Sequence, residues 1–192
     1  IKPQEVLLLG GGDGLALREL LKYPHIKIKQ IELDESFVIF CQTDKEISKL
    51  NNHSLDNKIQ VKRIYGDAFS LIKKEKSQYD LVIVDFPYPF SYDLWKLYSL
   101  EFYLSLKPRL KSKGLLVIDA PVQNQNMAIL LKNHKTLKTN SIIYSTLKKA
   151  NFKTIDFFSL QKEGFALISP EEISLNKDFK DYTFLKEKTI KR

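Results

Sequence analysis

Residues 6–20 read VLLLGGGDGLALREL, and the order of events in that stretch decides the fold. The apolar run Val6–Leu9 meets Gly10, Gly11, Gly12 and Gly14, with one carboxylate, Asp13, inside the loop. Leu17, Leu20 and Leu21 then recur at helical spacing until Pro24 ends the pattern. A continuous apolar run stopped by glycine is a strand buried on both faces. Followed at once by a helix, it is the first β-to-α turn of an open α/β sheet.

The same alternation continues outward from this stretch. Residues 27–33 (KIKQIEL), 59–66 (IQVKRIYG), 80–86 (DLVIVDF) and 114–120 (GLLVIDA) have strand character. Asp34 is placed to cap a helix that turns Phe37, Val38 and Cys41 inward. Ala68, Phe69, Leu71 and Ile72 mark a short helix. Residues 94–110 (LWKLYSLEFYLSLKPRL) read as one long amphipathic helix with Leu94, Leu97, Tyr98 and Phe102 on its core face. Residues 140–150 read as a helix capped by Asn140 or Ser141, and 152–159 with 164–170 as a closing antiparallel pair. The expectation is a mostly parallel seven-stranded sheet with helices on both faces and an antiparallel final strand. Residues 1–170 are expected to form one domain, and 171–192 a charged surface tail.

Bulk properties remove several function classes. At 192 residues, 43% apolar and 28% charged, the chain suits one soluble core. No apolar run approaches the ~18 residues of a membrane span, so no membrane contact is expected from this segment. The opening IKPQEV lacks an initiator Met, and further sequence is expected upstream. Cys41, the single cysteine, reads as a small buried hydrophobe and suits a reducing, cytoplasmic compartment. The net charge of +8 comes from lysines spread along the chain, without an aromatic-basic RNA motif or finger spacing, so no nucleic-acid partner is expected. His25, His53 and His134 lie far apart with no ligand spacing, so no metal site is expected.

In an open α/β sheet the ligand sits beyond the carboxyl ends of the strands. An acid stands at each of those ends: Asp13 in the loop, Glu32, Asp67 after Gly66, Asp85 and Asp119. Acids also cap helices at such turns, and for Asp34 and Asp67 alone that explanation serves equally well. Five together point to a nucleoside pocket. Gly10, Gly12 and Gly14 let the backbone approach a ligand. Glu32, 19 residues after Asp13, is placed to accept from ribose hydroxyls, and Asp67 from an exocyclic adenine amine. A carboxylate inside the loop repels phosphate, which argues against NAD and ATP. Asp13 favours a nucleoside bearing a sulfonium or an amine.

VLLLGGGDGLALREL, IELDESFV (31–38), YGDAF (65–69), YDLVIVDFP (79–87) and LYSLEFYLSLKPRLKSKGLLVI (97–118) together resemble the spermidine synthase (polyamine aminopropyltransferase) family. The closest phrasing is that of its bacterial membrane-linked branch. The resemblance implies a Rossmann-like class I S-adenosylmethionine methyltransferase fold. It implies decarboxylated S-adenosylmethionine as co-substrate, with no tightly bound cofactor, and an amine acceptor such as putrescine. By the same resemblance Asp13 holds the aminopropyl ammonium, Glu32 the ribose, and Asp67 with Ala68 the adenine. Asp85 is then the catalytic carboxylate that prepares the attacking amine, and a homodimer is the implied assembly.

Departures from the family pattern fall on the acceptor side. Tyr88 stands where the family has a second acid, and Asp119-Ala120-Pro121 where it has Gln followed by Ser-Pro. Phe157 and Phe158 precede the last strand without the family's Tyr or Trp. Two alternatives stay open: a methyltransferase using intact S-adenosylmethionine, and a nucleoside-binding domain without turnover.

Overall fold

The computed structural model describes residues 2–87, 91–120, 134–160 and 163–174. Its strands are β1 (Glu5–Gly10), β2 (Lys27–Glu32), β3 (Val61–Tyr65), β4 (Tyr79–Asp85), β5 (Leu110–Ala120), β6 (Thr154–Leu160) and β7 (Glu163–Ser169). They form one seven-stranded sheet in the order β3-β2-β1-β4-β5-β7-β6. β1 to β5 pair in parallel, while β7 runs antiparallel to both β5 and β6. The chain reverses from β1 outward in both directions, so β1 and β4 flank the switch point where such sheets open a crevice.

The helices explain why β1 is apolar without alternation. Leu7 and Leu9 face a cluster holding Ile72, Phe102, Leu106 and Leu147, whereas Val6 and Leu8 face Leu17, Val38 and Cys41. These side chains come from α1 (Leu15–Leu20) and α2 (Glu35–Thr43) on one face. On the other they come from α4 (Ala68–Lys74), α6 (Leu100–Leu106) and α7 (His134–Lys149). Between α2 and β3 the chain adds α3 (Lys45–Leu50), capped by Asp44, and a 3-10 turn at Ser54–Asp56. Among the described residues no helix is long and apolar enough to cross a membrane.

Two helix expectations need correction. Residues 94–110 are not one helix: α5 (Tyr92–Trp95) passes into a 3-10 turn at Lys96–Tyr98, then α6, then a 3-10 turn at Lys107–Arg109. The break is at Ser99, whose backbone is extended and whose Oγ accepts from Phe102 N at 3.2 Å, restarting the helix as its N-cap. Leu97, Tyr98 and Phe102 are nevertheless buried together. Asn140 and Ser141 are not caps either, because α7 begins at His134 and runs through them. The segment HKTLKTN carries no apolar stripe, so periodicity could not register it. β5 also starts earlier than expected, at Leu110, with an irregularity before Leu115. Gly114 is required there, since a Cβ would stand 2.9 Å from the Tyr79 carbonyl oxygen. Of the expected tail only Glu171–Ser174 fall within the described residues.

Candidate active site

The glycine loop leaves β1 with φ of +86° at Gly10, +71° at Gly11 and +79° at Gly14. This backbone turns Asp13 over the end of the sheet, and its Oδ1 accepts from Leu15 N at 3.0 Å. Glu32 ends β2 beside it. Its Oε1 accepts from Leu33 N at 2.8 Å and Asp34 N at 3.1 Å, and its Oε2 lies 3.0 Å from where a Cβ on Gly12 would stand. The missing side chain at Gly12 is what lets the carboxylate of Glu32 abut the loop. Gly66 N donates to the Glu32 carbonyl at 2.8 Å, which brings the start of α4 alongside.

Asp34 and Asp67 do cap helices. Asp34 accepts from Phe37 N at 2.9 Å, and Asp67 Oδ2 accepts from Ser70 N at 3.1 Å and Ser70 Oγ at 2.7 Å. Asp67 does more, because its Oδ1 is 3.0 Å from Lys96 Nζ. Burial pushes the Asp67 pKa up, but the bonds from Ser70 and then Lys96 outweigh burial and hold it below the usual carboxylate range. Lys96 thereby ties the turn after α5 to the start of α4.

Asp85 ends β4 opposite Gly10 in the parallel ladder. Its pKa is raised to about 6, chiefly by burial and then by the charges of Asp13, Asp119 and Glu32. Asp119, on β5, pairs in register with Phe165 of β7. The acids therefore converge on one place, and a proton is held there more readily than on an ordinary carboxyl.

They line a cavity of about 550 Å³. Gly10, Gly12, Asp13, Glu32, Asp67, Ala68, Asp85 and Asp119 all contribute to its wall. Gly14 does not; it lies behind the loop, where a Cβ would meet Ser54, Leu55 and Asn51. Tyr88 lies outside the described residues. The apolar wall comes from residues that periodicity assigned elsewhere or passed over: Phe37, Phe86, Leu94 and Leu97. Phe37 is 45% exposed and faces the cavity instead of the core. Phe86 is fixed by its ring contact with Phe102, 6.2 Å between centroids. An apolar wall of aromatic and leucine side chains beside acids is suited to a purine with a ribose.

The spermine/spermidine synthase domain model matches residues 1–169. This chain belongs to the spermine/spermidine synthase family. Among its relatives, polyamine aminopropyltransferase 2 of Aquifex aeolicus is 40% identical over 136 residues, covering 70% of this chain and 27% of the relative. The polyamine aminopropyltransferase of Oceanobacillus iheyensis is 32% identical over 176 residues, covering 91% of this chain and 33% of the relative. The chain thus spans about a third of the length of the curated relatives it matches. A crystal structure of spermidine synthase in complex with the transition state analogue AdoDATO superposes with a TM-score of 0.70 at 20% identity, covering 88% of this chain and 55% of that one. Human methyltransferase-like protein 13 in complex with SAH gives 0.66 at 16% identity, covering 91% and 76%. Both likenesses carry the S-adenosylmethionine methyltransferase-like fold that the family resemblance implied. The fold alone does not separate aminopropyl from methyl transfer, so the choice rests on the site.

Proposed function

We propose that this chain is the nucleoside-binding catalytic domain of a polyamine aminopropyltransferase. It transfers the aminopropyl group of decarboxylated S-adenosylmethionine to an amine, releasing methylthioadenosine. The observation that carries this reading is the carboxylate of Asp13 set in a glycine loop at the mouth of an acid-lined cavity. Such a loop suits a nucleoside whose arm ends in a cation. Glu32 accepts from the ribose, and Asp67 with Ala68 meets the adenine edge, with Phe37 and Leu97 as apolar walls. The acceptor amine enters on the side of Asp85 and Asp119.

The reaction requires a neutral amine, and an alkylamine near pH 7 is mostly protonated, with a pKa of about 10.4. Asp85 accepts a proton from it, and the nitrogen lone pair then attacks the carbon beside the sulfonium. The C–N bond forms as the C–S bond breaks, and the bonding pair returns to sulfur as a neutral thioether. The raised pKa of Asp85 narrows the gap between base and amine. Alignment of two bound substrates supplies much of the rate without a covalent intermediate. The lone buried Cys41 suits a cytoplasmic setting. We read residues 1–170 as the catalytic unit, within a longer polypeptide that pairs as a homodimer.

Titration calorimetry tests the reading. An intact S-adenosylmethionine would place its carboxylate near Asp13, where two unit charges about 4 Å apart cost about 1–4 kcal/mol. The wild type should therefore prefer the decarboxylated nucleoside by about 5–10³-fold. Asp13→Asn should remove most of that preference. Equal or tighter binding of intact S-adenosylmethionine would make the site a methyltransferase, the alternative that the likeness to methyltransferase-like protein 13 keeps in view.

The pH dependence follows from Asp85. Only ionised Asp85 accepts a proton, so kcat/KM for the acceptor should rise with pH through about 6 in the free enzyme. Asp119 is one of the charges that raise that pKa, so Asp119→Asn should move the acid limb to lower pH. A limb that stays in place would show that Asp85 is not the titrating group.

A further inference from the structure

We infer that Gln30, Asn51 and Ser54 are positioning residues: a buried frame that fixes the glycine loop from behind and sets the direction of Asp13. The inference rests on the functional reading above for what Asp13 holds, but the frame itself is visible in the hydrogen bonds. Gln30, on β2 and fully buried, donates through Nε2 to the carbonyls of Gly10 and Gly11, each at 3.0 Å. Its Oε1 accepts from Arg63 Nε at 2.7 Å, so the amide cannot turn over without losing all three bonds. Asn51, at the end of α3 and fully buried, donates through Nδ2 to the Asp13 carbonyl at 2.9 Å and the Cys41 carbonyl at 3.3 Å. Ser54 Oγ donates to the Gly14 carbonyl at 2.6 Å.

Four loop carbonyls, those of Gly10, Gly11, Asp13 and Gly14, are thus held by side chains from three separate elements. The loop needs this. Glycine loses more conformational freedom on ordering than any other residue, and no loop glycine has a side chain with which to anchor itself. Unsupported, the loop would sample many directions for Asp13. The frame also fits closely, since a Cβ on Gly14 would stand 2.7 Å from Ser54 Oγ and 3.1 Å from Asn51 Nδ2. Asn51 keeps its place although its Oδ1 is buried without a partner. An apolar residue would avoid that penalty, so the donor is what the position requires. Most of the buried polar side chains in the described residues serve this one loop: Gln30, Asn51 and Ser54, against Ser48 and Ser169.

The test pairs two variants with two measurements. Gln30→Met keeps length and removes the donors; Ser54→Ala removes one hydroxyl and perturbs packing least. Hydrogen exchange read by mass spectrometry over residues 10–15 should accelerate at least about tenfold in each, with the rest of β1 and β4 unchanged. Calorimetry with decarboxylated S-adenosylmethionine should show about a tenfold loss, while methylthioadenosine, which lacks the aminopropyl arm, should bind as before. Unchanged loop exchange in both variants overturns the frame. Equal loss of both ligands also overturns it, because the role would then be support of the whole pocket and not direction of Asp13. Should the wild type show no preference for the charged arm, the functional reading fails, and loop exchange still decides the frame.

Discussion

Asp85→Asn should lower turnover by about 10²–10⁴-fold, the usual contribution of a positioned proton acceptor, while leaving nucleoside affinity nearly unchanged. Asparagine keeps the size and most of the hydrogen-bonding shape of the side chain but cannot accept a proton from an amine. The same change should make the protein more stable as pH rises above about 4, with the full effect reached by about pH 6. The Asp85 pKa is raised on folding, so its ionisation opposes the folded state, and the cost builds as pH rises from the unfolded carboxyl value of about 4 to about 6 and is constant above. Burial beside Asp13, Asp119 and Glu32 is the cause. Relative to wild type, the variant's advantage should be small near pH 4 and reach about 1–3 kcal/mol by pH 8. Single-turnover kinetics with thermal unfolding at both pH values measures the two effects together. A variant that keeps its rate would remove Asp85 from the chemistry. A variant that loses rate and stability together would make Asp85 a structural residue. Rate lost and stability gained is the signature of a group kept at an energetic cost for its reaction.

The sequence shows the strand ends well and the walls poorly, for a physical reason. Buried strands are continuous apolar runs, and an acid that stops such a run, as Asp85 stops YDLVIV, is visible without any knowledge of its neighbours. That one rule placed Asp13, Glu32, Asp67, Asp85 and Asp119 around the same cavity. Phe37 was hidden because an aromatic on a helix at core spacing looks the same whether it faces the core or a slot. Lys96 was hidden because its link to Asp67 joins residues 29 apart that only the fold brings together. The split of residues 94–110 was hidden because the apolar stripe of Leu94, Leu97, Tyr98 and Phe102 continues across the break at Ser99. Gln30 did leave a trace, as a polar residue centred in KIKQIEL, but one amide in a strand gives no hint of the carbonyls it holds.

Gly10→Ala should cost a large share of the folding stability, and it tests the geometry on which the whole site depends. A Cβ at position 10 would stand 2.2 Å from the Asp85 carbonyl oxygen and 3.2 Å from Phe86 Cδ1. The first of these is backbone of the neighbouring strand, paired with Gly10 in the parallel ladder, and cannot rotate away. The φ of +86° adds the strain of a left-handed conformation, about 1–2 kcal/mol for a residue with a Cβ. Overpacking typically adds about 1–3 kcal/mol. Together they give a loss of about 2–5 kcal/mol, a large share of the ~5–15 kcal/mol that holds a domain folded. Gly66→Ala is the control. Its φ of +149° is also unusual, but a Cβ there would meet only the flexible end of Leu71, at 3.1 Å. That change should cost about 1–2 kcal/mol, as expected for local backbone strain alone. Urea unfolding of both variants separates the cases. If Gly10→Ala unfolds within about 1 kcal/mol of Gly66→Ala, the end of β1 can move away from β4. The close approach of loop and carboxylate that places Asp13 beside Asp85 would then not be fixed by the sheet. A large gap between the two variants would mean that the sheet itself holds the nucleoside side of the cavity against the acceptor side.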